Sequence, residues 1–186
     1  GAATVTWTGG GGDGDWANDA NWDSTPFLPG AADDVVVENA GTLPSSGGTG
    51  AYLSLTVNAG VNLTLNGNMT LTNAVTVTGT LNVGANTLTA GSVGGTGTLN
   101  GNTGTVNVSG NLSAATYNAT TGTTTITSGD LAVTTFTHLN GTVIFAGGTP
   151  NSTNAYTFGN LTVNKAGGTL TTGAGTVTVN AALNVS

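Results

Sequence analysis

The chain has no cysteine and no arginine, and a single lysine is its only formal cation apart from histidine. Without cysteine there are no disulfides, no thiolate nucleophile and no cysteine-held metal. One lysine against a net charge of −7 leaves nothing to neutralise a run of phosphates, which removes nucleic acid as a partner. Charged residues make up only 5% of the chain, where an ordinary domain carries about a quarter. No apolar run approaches the roughly 18 residues of a membrane-spanning helix. Glutamine is missing and glutamate occurs once, at Glu38, so the strong helix formers are nearly gone. Yet 37% of the residues are hydrophobic, more than a disordered chain carries, and the sequence is expected to fold as an all-β protein.

Threonine (39), glycine (32) and asparagine (22) fill half of the 186 residues. The rest are distributed unevenly. Seven of the eight acids and all three tryptophans (Trp7, Trp16, Trp22) precede residue 40, while Asp130 and Lys165 are the only formal charges after it. This divides the chain into a head, residues 1–50, and a repetitive body, residues 51–186. The body alternates apolar residues with Thr or Asn in runs of three to five, as in Leu53-Ser54-Leu55-Thr56-Val57, Val75-Thr76-Val77 and Leu81-Asn82-Val83. That is the period of strands with one buried face. Gly and Asn interrupt the runs every six to eight residues, where tight corners need positive φ. Three runs make a rung of roughly 20 residues, the length of a stacked repeat. Rung starts fall near Leu53, Ala74, Val93, Ala114, Thr134, Ala155 and Thr176. The expected fold is a parallel β-solenoid of about seven rungs, its first rung plugged by the Trp- and Asp-rich head. A β-sandwich is the alternative.

The head runs from Thr6-Trp7-Thr8-Gly9 through Gly11-Gly12-Asp13-Gly14-Asp15-Trp16 and Asn21-Trp22 to Pro29-Gly30 and Asp33-Asp34-Val35. It resembles the opening of bacterial surface β-helix proteins, the autotransporter and filamentous-haemagglutinin-like adhesins. The body's Gly159-Asn160-Leu161-Thr162-Val163-Asn164, followed by Gly-Gly-Thr-Leu-Thr, resembles their loosely repeated coils. The resemblance implies a secreted, right-handed β-helix at the cell surface, used for adhesion or surface architecture and without enzymatic activity. The start at Gly1-Ala2-Ala3 suits a mature secreted chain. Leu183-Asn184-Val185-Ser186 keeps the repeat rhythm, so that end is expected to be uncapped and open to another chain. The expected partner is a second copy, joined head to tail into a filament with Ala3 to Thr8 as a pairing strand. Surface glycans are a further expected partner.

Candidate chemistry is sparse. Asp13, Asp15, Asp19 and Asp23 cluster in a Gly-rich stretch and form a candidate calcium site, since Ca²⁺ takes six to eight oxygens from flexible segments. His138 and Asp130 with Ser128 make a nominal nucleophile set, but a lone His in a Thr-rich strand reads as a surface residue. The nine Asn-x-Ser/Thr sequons, at Asn62, Asn68, Asn107, Asn111, Asn118, Asn140, Asn151, Asn160 and Asn184, follow from so much Asn and Thr. Two other functions are in view. One is ice binding through Thr-x-Thr runs such as Thr70-Leu71-Thr72, Thr76-Val77-Thr78 and Thr123-Thr124-Thr125, which do not recur at one rung position. The other is a carbohydrate-binding module using the tryptophans.

Overall fold

The computed structural model describes residues 3–45, 48–147, 151–166 and 169–186. Gly1, Ala2 and the Gly167-Gly168 pair of the repeat-like stretch lie outside them. The fold is a parallel β-solenoid of about eight turns, so the β-sandwich is not adopted. Every strand-to-strand ladder among the described residues is parallel. Among the described residues no helix is long and apolar enough to cross a membrane, a statement that does not bear on strands.

The strands stack in three columns, all of which are filled from the turn of the long strand Asn62–Val77 onward. In the first, Thr4–Trp7, Asp34–Val37 and Ser54–Val57 stack on the end of the long bent strand Asn62–Val77. The inward row there runs Val5, Val35, Leu55, Val75, Val93, Leu112, Leu131 and Ser152, one residue per turn. From Leu55 onward the steps are eighteen to twenty-one residues, which matches the expected rung length. The second column stacks Leu63, Leu81, Leu99, Tyr117 and Phe136, and the third stacks Leu88, Val106, Thr124, Val143 and Leu161. Because strand side chains alternate between faces, these residues all point into one continuous core. A fully buried Leu or Val contributes roughly 1.5–3 kcal/mol relative to exposure, so the core is the main source of stability.

Core composition adjusts along the rod. Where Tyr117 replaces Leu in the second column, Thr124 replaces Val in the third, and the two hydroxyls bond at 2.5 Å inside the core. Among the described residues no buried side-chain nitrogen or oxygen lacks a partner. Corners need glycine for lack of room: a Cβ on Gly97 would sit 2.1 Å from the Gly79 oxygen one turn below.

The head joins this stack. Thr4–Trp7 and Asp34–Val37 occupy the first two places of the first column, and Gly48–Tyr52 opens the third, pairing with the long strand. The expected boundary at residue 50 therefore falls inside a strand.

Candidate functional site

The head closes one end of the rod. Trp7, Trp16 and Trp22 are buried and packed together, with Trp22 edge-on to Trp7 at 5.1 Å and to Trp16 at 4.7 Å between ring centroids. Each indole N–H is satisfied: Trp7 donates to the Thr42 carbonyl at 3.0 Å, Trp22 to the Trp16 carbonyl at 3.0 Å and Trp16 to the Tyr52 hydroxyl at 2.8 Å. The Tyr52 hydroxyl in turn donates a hydrogen bond to the Thr49 carbonyl at 2.6 Å. Burial pushes the Tyr52 phenol up from its ordinary pKa. These rings are core, with no indole face turned outward for a sugar.

The outer edge of Thr4–Trp7 is already occupied. The Asp23 amide donates to the Thr6 carbonyl at 2.9 Å, the Asp23 carboxylate accepts from the Thr6 amide at 2.8 Å, and the Thr8 amide donates to the Asn21 carbonyl at 2.7 Å. At Thr6 and Thr8 the chain thus covers that edge with its own return segment, a common protection against edge association, and pairing of Ala3 to Thr8 with a neighbouring chain would have to displace it there.

Four carboxylates named from sequence sit in this return. Asp13 Oδ1 accepts from the Asp15 amide at 3.0 Å and from Asn21 Nδ2 at 2.7 Å, and its Oδ2 accepts from Asn18 Nδ2 at 2.7 Å. Those donors, the Asp15 amide first, hold the Asp13 carboxyl below its ordinary pKa. Asp15 Oδ1 accepts from the Ala17 amide, Asp23 takes the Thr6 amide, and Asp19 opens the short 3₁₀ turn Asp19–Asn21. The carboxylates thus organise the loop backbone. Among the described residues no three His, Cys, Asp or Glu side chains are grouped so that they could hold a metal ion.

The loop that follows is apolar and outward. Phe27 is 72% exposed and Leu28 47%, on a turn fixed by the Phe27 amide to the Ser24 carbonyl at 2.9 Å and by Ser24 Oγ to the Phe27 carbonyl at 2.6 Å. Thr25 Oγ1 ties the turn to the Asp19 and Trp22 carbonyls at 2.8 and 2.9 Å. In the last described strand, Leu183 and Val185 continue the inward rows of the third column and are each 60% exposed. Leu139, at 41%, is the remaining exposed large hydrophobic residue among those described.

The nominal nucleophile set is spread over separate structural bonds. Ser128 Oγ donates to the Ser109 carbonyl at 2.5 Å. His138 Nδ1 accepts from the Asn140 amide at 2.9 Å. Asp130 belongs to a ladder in which Asn111, Asp130 and Asn151 each accept, at 2.8–3.0 Å, the amide of the residue one turn on. Lys165 reaches the same ladder through Asn151 Oδ1 at 2.9 Å and is buried there.

The outer faces differ in regularity. On the second column, Thr80, Thr98, Thr116 and Thr135 stack in register over four turns, and Asn82, Asn100, Asn118 and Thr137 stack beside them. Asn118 Nδ2 donates to Asn100 Oδ1 at 2.8 Å, Asn100 to Asn82 at 2.8 Å and Asn82 to Asn62 at 2.6 Å. The third column carries register shifts at its head end and, in its outward row, Thr89, Asn107, Thr125 and Ile144, flanked by a shallow trough. The first column mixes Asp34, Ser54, Ala74 and Ser92. Searching for Thr-x-Thr misses the regular face, whose signature is Thr-x-Asn: Gly-Thr-Leu-Asn occurs at 79–82 and again at 97–100.

No protein-family model, curated protein or solved structure matches this chain.

Proposed function

We propose that the chain is a non-enzymatic, extracellular structural and adhesive rod whose copies associate head to tail into a surface filament. One observation carries the reading: among the described residues two separate apolar patches are exposed, Phe27 with Leu28 on the head's turn and Leu183 with Val185 in the last described strand, while the outward rows between them are polar. Beyond residue 40 the outward rows are hydroxyl- or amide-rich, with only Asp130 and Lys165 charged. Two different apolar patches that fit each other make a heterologous contact, and such contacts repeat into open filaments. With the first strand's edge covered, the head side of that contact is the Phe27–Leu28 turn packing on the open apolar rows, in place of strand pairing along Ala3 to Thr8. The head's resemblance to surface β-helix proteins supports the extracellular setting, with the sides of the rod presented to surface glycans or neighbouring cells.

Negative-stain microscopy of the purified chain across a concentration series tests the filament, with Phe27→Ser/Leu28→Ser as the variant. The turn is exposed, so the double variant keeps its melting temperature. Filaments from the parent chain and none from the variant are expected. Monomers alone from the parent overturn the filament, and two-fold dimers overturn its head-to-tail polarity in favour of pairing between like ends.

A further inference from the structure

We propose that the regular face of the second column, built from Thr80, Thr98, Thr116 and Thr135 beside Asn82, Asn100 and Asn118, binds ice. This goes beyond the structural role and does not depend on the ends of the rod. The three-residue strands of this face stack with no register shift over five turns, from Asn62–Thr64 to Thr135–Thr137. Parallel strands lie about 4.8 Å apart and every second residue about 6.6 Å along the strand, so the outward groups form a two-dimensional grid. Only a ligand that is itself periodic in two dimensions can meet every point of such a grid.

Three features make the grid a recognition surface. The hydroxyls of Thr80, Thr98, Thr116 and Thr135 make no hydrogen bond to other described residues, and Thr135 is exposed while the other three are partly exposed, so donor and acceptor capacity remains for an external partner. Their β-branched carbons restrict χ1, and the asparagines are fixed by the ladder, in which Asn100 and Asn118 each donate one N–H to the amide a turn below and keep the other, while Asn82 donates to Asn62 and Thr64. A surface held rigid before contact loses little side-chain entropy on binding, which lets many weak contacts add.

The chemistry of the face selects among periodic solids. It carries no formal charge, so an ionic mineral has no counter-charge to meet. Its aromatic members, Tyr117 and Phe136, belong to the inward row, so no ring is offered to a crystalline polysaccharide. What remains is a neutral lattice in which every point both donates and accepts a hydrogen bond, as Thr hydroxyls and Asn amides do. The Thr methyls beside the hydroxyls add apolar surface whose removal from liquid water favours adsorption.

An ice-recrystallisation assay in concentrated sucrose with the purified chain tests this directly. The parent chain is expected to keep ice grains small at concentrations where serum albumin does not. Thr98→Lys/Thr116→Lys, in the middle of the face, should lose the inhibition, while Thr76→Lys, on the first column, should retain it; circular dichroism melts confirm that each variant folds. Should the double lysine variant not fold, Thr98→Val/Thr116→Val removes only the hydroxyls, keeps the β-branched shape and should weaken inhibition. Grain growth equal to the albumin control overturns the proposal, as does equal inhibition by the parent and the face variants. Retention on microcrystalline cellulose with no inhibition of grain growth overturns it in favour of a polysaccharide.

Discussion

Asp13 shows how the head is organised residue by residue. Its carboxylate gathers an amide N–H and two asparagine side chains, and these donors stabilise the charged form in the fold. A lowered folded pKa means that this stabilisation is present above the ordinary carboxylate range and is lost as pH falls through the folded value. The melting temperature of the head, followed by Trp fluorescence, should therefore drop as pH falls below about 4. Asp13→Asn should lower that melting temperature at neutral pH and flatten its acid dependence, because an amide offers one oxygen where the site needs two. Since the donors around Asp13 are backbone and amide groups, the same melt should not shift on addition of millimolar calcium. The sequence showed that the acids cluster, and it placed the tryptophans at the first rung. It did not show the partners, because Asn18 and Asn21 look like any other asparagines in a chain with 22 of them.

Individual turns are set by compensating pairs. Tyr117 and Thr124 stand in different columns, yet the larger ring in one is accepted with a hydroxyl in the other. Burial raises the Tyr117 phenol well above its ordinary pKa. The neutral phenol is the form the fold keeps, so stability from this group is intact below about pH 10 and declines as pH rises beyond it. Tyr117→Phe leaves the Thr124 hydroxyl buried without a partner and should cost about 1–3 kcal/mol in a denaturant titration. Adding Thr124→Val, which restores the Val of the neighbouring turns, should recover most of that loss; a cycle with purely additive costs would show that the two residues act independently. Rung starts were legible to within about three residues, as Leu55, Val75, Val93, Leu112, Leu131 and Ser152 show, because the alternation of apolar and polar residues repeats at nearly constant length. Which residues of different turns meet was less legible. Turn length varies from eighteen to twenty-one residues, so a motif such as Thr-x-Thr slides between columns while Gly-Thr-Leu-Asn holds its place.

At the scale of the whole molecule the rod is polar. The head is closed by a tryptophan cluster and a return segment that takes the first strand's edge at Thr6, while the apolar rows run on through the last described strand, Leu183–Val185. Length and stacking follow from composition, since a chain with so little charge has few residues to keep flat strand edges apart. The closed head edge did not follow from composition, because Asp23 protects Thr6 only once the chain has folded back. If copies add head to tail, each rod axis continues into the next and every strand lies across the filament. X-ray fibre diffraction from aligned assemblies of the purified chain tests this most directly. The account predicts a reflection near 4.8 Å on the meridian, along the filament axis. A sample that yields no alignable assemblies, or one whose 4.8 Å reflection lies off the meridian, would contradict it.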